Sequence, residues 1–480
     1  MRPQKSLLLA SISFAGIVGW VSGKEVPAMK RFSALSPSIE LKMGEVANRF
    51  EKVPIPKGPI AIYQFKAEVV ELMQNNGKQE TRPVPVSEAY LHHYVIGSAY
   101  AFRTNKNESK GAKVSGKGFR FGAGTESRET PQNYPFPYAS VTLPDEDEWI
   151  VNVHVINTRN MSAFRAHQCL ECPCTSEDTI RNGHINGMIF PNHTCNAQLM
   201  EERNAACSIN TYSGGLRCCE DGEFCLERKQ LAEMDTAHVK SVFYLRYTIL
   251  YGEVISGTRP VLRATCCDAT GDLEIKGNIE YNIPVCDPEF HPGCVHSLST
   301  RQHIDTSHNK ESSQKNETYA DRKLEIVSMI GHQHRGGMGI FVYDDQSGEL
   351  LCSSIPHYGH GNEANDELGY VVSMSTCEFN PPIRRLASDV LRIVALYNNT
   401  KAHTGAMSLV FVGMSELGVF KGFDKALSDA LISDGSVSSR STFVVIFCYG
   451  VVPALLAVVT IGVLWKLSVR RSYNRLLSPK

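Results

Sequence analysis

His332 and His334 are separated by one residue, and on a β-strand that spacing sends both imidazoles to the same face. Two borderline nitrogen ligands within reach of one ion suit copper or zinc better than magnesium or calcium. Gly331, Gly336, Gly337 and Gly339 leave room around them for a close approach of backbone or ligand. A pair of solvent-facing histidines at a strand end fits the same spacing. His92 and His93 are adjacent, so a regular strand points them to opposite faces, and a twist, a bulge or a chain end is needed before both can serve one ion. His154 lies in the run Trp149 to Ile156, where Val151, Val153 and Val155 share one face and Asn152 and His154 the more polar one. Singly, each of these three histidines is compatible with a structural role. Together His92, His93 and His154 make a three-imidazole set able to hold copper.

Cysteine is the other chemistry-bearing residue, with fifteen in the chain, eight of them between Cys169 and Cys225. Cys169, Cys172 and Cys174 have a spacing that superficially suits thiolate ligation. The vicinal pairs Cys218-Cys219 and Cys266-Cys267 read more simply as halves of separate disulfides in an oxidising compartment. No Gly-rich phosphate loop follows a strand and no G-x-S-x-G elbow occurs. The acidic pair Asp366-Glu367 does not by itself define a hydrolase.

The elements that must position these residues read as short strands. Tyr90 to Tyr100, Trp149 to Ile156, Val239 to Tyr251, Leu324 to Ile330, Met338 to Tyr343, Val390 to Leu396 and Met407 to Met414 are rich in β-branched and aromatic residues and separated by Gly, Pro, Asn and Asp turns. This predicts a mainly β chain, a tandem antiparallel β-sandwich ectodomain with a cysteine-rich insertion. The expected segments are a first sandwich region over 24–168, the insertion over 169–235, a second sandwich region over 236–417 and a Ser-rich tether over 418–442. The chain is 480 residues long, 42% hydrophobic and 21% charged, an ordinary folded composition that excludes disorder as the main reading. With 49 basic and 50 acidic residues it gives no electrostatic reason to expect a nucleic-acid partner.

The two ends complete the expectation. Arg2 and Lys5 precede an apolar stretch and a small-residue site, the layout of a signal peptide over 1–23. The uncharged run Phe443 to Trp465 is long enough to form one C-terminal transmembrane helix, and Lys466, Arg470 and Arg471 beyond it predict a cytoplasmic tail over 466–480. The expected topology is a single-pass type I membrane protein at the cell surface or in a secretory compartment, with membrane attachment through 443–465. Sequons at Asn107, Asn160, Asn192, Asn316 and Asn398 agree with a glycoprotein.

The segments Met43-Gly-Glu-Val-Ala-Asn-Arg49, Ile55-Pro-Lys-Gly58, Leu91-His-His-Tyr94, Gly214-Gly-Leu-Arg-Cys-Cys219, Thr265-Cys-Cys267 and Gly369-Tyr-Val-Val-Ser-Met-Ser-Thr-Cys377 resemble the stress up-regulated Nod 19 family, over about residues 35 to 415. That family implies no settled activity. The histidine arrangement is more distantly similar to the copper type II, ascorbate-dependent monooxygenases, including the peptidylglycine alpha-hydroxylating enzymes. This second resemblance implies up to two copper ions, with ascorbate as reductant. His92, His93 and His154 match the three histidines of the electron-relaying copper, and His332 and His334 match two of the three ligands of the oxygen-activating copper. The third ligand of that family, a methionine after an Asp-Glu pair, is matched here by Leu368, which has no lone pair to offer; Met374 and Met338 are the candidates to replace it. Three functional expectations stand together: a Nod 19-type membrane glycoprotein, a copper-dependent monooxygenase hydroxylating a C–H bond of a peptide or small molecule, and a nonmetal adhesion or recognition protein with a peptide, small-molecule or glycan ligand.

Overall fold

The computed structural model describes residues 27–98, 119–142, 148–171, 221–226, 228–234, 239–255, 257–264, 281–289, 293–304 and 322–416, the single positions 146, 267 and 269, and short strands at 11–13, 20–21, 24–25, 184–185 and 188–189. Alternating burial dictates its architecture. In Lys240–Glu253, Phe243, Leu245, Tyr247, Ile249 and Tyr251 turn to the core while the residues between them are half-buried, the period of two that a half-buried strand requires. This strand lies between Lys30–Leu35 and Ile60–Asn75, antiparallel to both. The first sheet is therefore completed by chain from beyond the cysteine-rich stretch.

A second sheet runs in the order Phe119–Ala123, Ala89–Ser98, Glu148–Asn157, Val46–Pro54 and packs on the first. Trp149, Val151, Val153 and Val155 of its third strand share one core with Phe65, Tyr247 and Ile249. Phe65 and Phe121 stack across the two sheets at 4.5 Å between ring centroids, within the range that adds to the energy of simple area burial. Among the described strand pairs one is parallel, Tyr138–Val141 with Arg259–Pro260.

The second half repeats the plan with two four-stranded sheets. One runs Leu262–Ala264, Ser408–Glu416, Lys323–Gln333, Thr376–Leu386 and the other Val295–His303, Val390–Asn398, Gly337–Asp344, Leu350–Ser354. Ile326, Met329, Ile340, Val342, Ile393 and Val412 fill the space between them. Cys352 and Cys377 are bridged across this half, and Cys286 is bridged to Cys294. A bridge joins Cys169 and Cys225, the first and last cysteines of the cysteine-rich stretch; Cys267 is also disulfide-bonded, and Cys172, Cys174, Cys218 and Cys219 lie outside the described residues.

The halves are joined by buried polar contacts. Arg128, on the buried 3-10 turn Thr125–Arg128, pairs with Glu68 at 3.0 Å in its own half and with Glu367 at 3.5 Å in the other. Glu367 also accepts from the backbone N–H of Val86 at 2.7 Å. Tyr138 donates to Glu325 at 2.6 Å, and the backbone N–H of Met374 donates to Thr130 Oγ1 at 2.9 Å.

The topological expectation is corrected. No helix among the described residues is long and apolar enough to cross a membrane. The α-helices among the described residues, Ala163–Glu171 and Arg228–Ala232, have 9 and 5 residues, whereas a span needs about 20. The expected C-terminal transmembrane helix, the attachment through 443–465 and the single-pass type I localisation at the cell surface or in a secretory compartment therefore do not stand as features of this structure, and neither does the membrane-glycoprotein reading built on them. Residues 418–442, 443–465 and 466–480 lie outside the described residues, as does most of the expected signal peptide over 1–23.

Candidate metal centre

His93 and His154 stand opposite each other on the neighbouring strands Ala89–Ser98 and Glu148–Asn157, and the next pair is Leu91 with Val155. His92 is thus the extra residue of a β-bulge. A bulge re-aims one side chain, which is how two adjacent histidines reach the same side of a sheet. The rings of His92 and His154 stack at 4.3 Å, and His93 meets His154 edge-on at 4.9 Å. The ligand atoms of His92, His93 and His154 all lie within 4.8 Å of one another. These three side chains can hold a metal ion.

The second half brings His332 and His334 to the same place. His332 lies near the end of the strand Lys323–Gln333 and His334 just beyond it, with their rings 5.1 Å apart. His334 meets His92 edge-on at 4.9 Å. The five histidines that sequence reasoning divided between two sites thus form one chain of ring contacts across the junction of the halves. His92, His154, His332 and His334 are buried, His154 completely; His93 retains some surface, but its Nδ1 is buried.

Neighbouring groups select the nitrogen that each imidazole can offer. Asn152 Nδ2 donates to Asn48 Oδ1 at 2.8 Å and to the Arg49 carbonyl at 3.3 Å. Its Oδ1 is left to accept from His93 Nε2 at 3.0 Å. The proton of neutral His93 is therefore on Nε2, and its buried Nδ1, which has no hydrogen-bond partner, carries the lone pair. His334 Nδ1 donates to the Gly405 carbonyl at 2.7 Å. Its Nε2 carries the lone pair, again buried and without a hydrogen-bond partner. Burial pushes the pKa of His93 down to about 3, helped by the nearby His92, against the bond to Asn152, which raises it. Burial also holds His334 well below the ordinary histidine range, with His92 and His332 adding to the effect. Neutral imidazole is the form that ligates metals.

Glu126 completes the surroundings. Its two carboxylate oxygens accept from His332 Nδ1 at 3.0 and 3.1 Å, and the backbone N–H of Gly124 donates to it at 3.0 Å. Burial pushes this carboxyl up, but the charge and hydrogen bond of His332 and two backbone N–H groups outweigh it and hold the pKa below the usual range. Gly124 is required by closeness: a Cβ there would overlap His332 Cε1 and lie 2.8 Å from the His92 carbonyl oxygen.

The remaining candidates divide clearly. Leu368 is 68% exposed and Met338 42% exposed. Met374 is buried, and its methyl lies 3.1 Å from where a Cβ on Gly331, the residue before His332, would sit. A further imidazole nearby in the sequence, that of His403, is engaged with the Asn398 carbonyl at 3.0 Å. Glu126, Gly124 and the Gly405 carbonyl were not singled out by sequence reasoning; a lone Gly-Thr-Glu-Ser-Arg stretch carries no signal of a partner about two hundred residues away. Asn152 did leave a trace, since it alternates with His154 on the more polar face of its strand.

No protein of curated function matches the chain. Among solved structures the chain shows slight likeness to the STIV MCP, at 8% identity and a TM-score of 0.19, covering 81% of this chain and 98% of that one. A structure of infectious bursal disease virus Gx strain gives 8% identity and a TM-score of 0.16, covering 84% and 73%. A Bacillus thuringiensis Cry1Da tryptic core variant gives 6% and 0.16, covering 76% and 53%. The family comparison is of a different order, because the model described as Stress up-regulated Nod 19 matches residues 27–417. That span takes in both sheet pairs and all five clustered histidines: the chain belongs to the stress up-regulated Nod 19 family.

Proposed function

We propose that the chain binds copper at the histidine cluster and serves as a copper-dependent monooxygenase that hydroxylates a C–H bond of a peptide or small molecule. The observation that carries this reading is the convergence of three histidines within ligating distance, two of them buried and the third, His93, held neutral by burial of its ring. The donor set is all imidazole, which suits copper and zinc and gives calcium and magnesium nothing to favour. Buried ring nitrogens without hydrogen-bond partners, His93 Nδ1 and His334 Nε2, are costly in a protein that never fills the site and useful in one that does.

Copper, when bound, would supply one-electron chemistry with dioxygen, drawing on ascorbate as reductant. The chain's own residues would orient and protect that chemistry. Asn152 keeps the proton of His93 on Nε2, the Gly405 carbonyl keeps that of His334 on Nδ1, and Glu126 keeps that of His332 on Nδ1. Burial of four of the five rings limits access of water. The overall reaction balances when one oxygen atom of dioxygen enters the C–H bond and the other leaves as water, with two electrons and two protons from the reductant.

The test is copper stoichiometry on the purified full-length protein beside a His92→Ala/His93→Ala variant, followed by ascorbate-dependent oxygen consumption. Tight copper in the parent, its loss in the variant and reductant-dependent oxygen uptake are expected. A folded parent with no tight copper would leave nonmetal recognition as the better account.

A further inference from the structure

Arg335 directly follows His334 and is half-buried. Arg128, Arg159 and Arg246 each pair with a carboxylate, whereas Arg335 meets none among the described residues. Its Nη1 donates to His167 Nδ1, on the helix Ala163–Glu171, and its Nη2 lies 3.6 Å from where a Cβ on Gly369 would sit. Burial pushes the phenol pKa values of Tyr358 and Tyr370 up, that of Tyr358 to about 12, and the charge of Arg335 opposes the rise at both. Both rings therefore stand beside the guanidinium and stay protonated. Leu368, next to Gly369, and Phe164, one turn before His167, are exposed, so the rim of this place is open to solvent. An arginine without an acid partner presents a planar fork of donors to an anion.

Tyr370 also leads inward. Its ring lies 6.5 Å from that of Tyr90, and Tyr90 meets His92 edge-on at 5.9 Å. Tyr90 and His92 are buried and Tyr370 is half-buried. A row of neighbouring rings thus runs from the guanidinium to an imidazole of the cluster. Electronic coupling falls steeply with the gap between π systems, so rings in contact pass an electron faster than the same distance of solvent.

We propose that Arg335, flanked by His167 and Tyr370, is the docking site of the anionic reductant, and that Tyr370 and Tyr90 bridge its electrons to the histidine cluster. The inference rests on the copper reading above and adds where electrons enter. An enediolate such as ascorbate offers adjacent oxygens and one negative charge. With Nη1 committed to His167, Nε and Nη2 form the fork left to hold it. Each docked monoanion gives up one electron and one proton and leaves as the ascorbyl radical anion. The electron reduces Cu(II) to Cu(I) at the cluster and the proton passes to solvent; two such events supply the two electrons that hydroxylation consumes. The tyrosines act as a bridge and are not themselves oxidised.

The experiment has one arm without metal and one with it. Calorimetric titration of the metal-free full-length protein with ascorbate, under argon, should show one site per chain. Arg335→Gln should weaken it roughly tenfold or more, and Tyr370→Leu should leave it near the parental value. Stopped-flow reduction of the Cu(II)-loaded protein should saturate with ascorbate, with half-saturation moving to higher concentration as salt is added. Arg335→Gln should lose the saturation, without slowing reduction by the cation hexaammineruthenium(II). Tyr370→Leu should lower the saturated rate, which a docking role alone does not move. No ascorbate binding to the metal-free parent, or a reduction rate linear in ascorbate and indifferent to salt, overturns the docking site. A parental saturated rate in Tyr370→Leu overturns the bridge. A folded parent that binds ascorbate but no copper removes the metal-binding reading and the bridge with it, while the docking site stands, so the failures are separable. The parent's own saturation and salt dependence decide the docking site even where a variant fails to fold.

Discussion

Glu126 and His332 meet across the boundary between the two sheet pairs, with both carboxylate oxygens within 3.1 Å of one imidazole nitrogen. A carboxylate in this position fixes the tautomer and raises the basicity of a ligating histidine. Glu126→Gln should therefore weaken copper binding at the His332 side by roughly 10- to 100-fold while leaving the affinity of the triad near its parent value. Competition titration against a chelator of known affinity reads both constants. Equal weakening at both would mean that Glu126 acts on the fold and not on the ligand.

Asn152 exerts the corresponding control on the triad. Asn152→Ala removes the acceptor from His93 Nε2 and leaves a part-buried N–H unsatisfied, a loss of about 1 kcal/mol. Chemical denaturation should show a fall of that size, and calorimetric titration should show weakened metal binding at the triad. Unchanged binding would mean that the bulge alone sets the orientation of His93.

Gly124→Ala tests the closeness of the halves. The added methyl has no room beside His332 Cε1 and the His92 carbonyl, so one half must shift against the other. Overpacking of this kind costs about 1–3 kcal/mol. The expected outcome is a lower thermal midpoint together with loss of metal capacity at His332, and a variant with parental stability and capacity would show that the junction yields easily.

Arg128 is a buried cation at the junction, with its side chain only 7% exposed and Glu68 and Glu367 beside it. Arg128→Met leaves two buried carboxylates without their shared partner, and breaking a buried pair in this way typically costs about 3–5 kcal/mol. Urea unfolding should report that loss. A joint Arg128→Met/Glu367→Gln variant should recover part of it, because fewer unpaired charges then remain. Recovery would show that the charge pairing carries the effect.

The sequence made the ligand types legible and left their meeting place hidden. His92 and His93 stand out because they are adjacent, and His154 because it alternates with valines along a readable strand. The bulge that re-aims His92 depends on the register between two strands some sixty residues apart, which neither strand encodes alone. His332 and His334 were readable as a pair, whereas their contact with His92 depends on how the two halves dock. Lys240–Glu253 reads plainly as a strand from its alternation, but the neighbours it joins, Lys30–Leu35 and Ile60–Asn75, are a matter of long-range packing. The apolar run at 443–465 shows the opposite limit: a strong local signal says what a segment could do, and the described structure offers no membrane-spanning helix to support it.

The insertion of Lys240–Glu253 between Lys30–Leu35 and Ile60–Asn75 bears on how the protein is made. During synthesis the first sheet cannot close when its early strands emerge, because its central member arrives only after the cysteine-rich stretch. At about 5–20 residues per second, that wait lasts on the order of ten to forty seconds. Throughout it, the apolar faces of Phe65 and Val69 have no permanent cover, and the nascent chain must either be shielded by a chaperone or risk pairing its open strand edges with another chain.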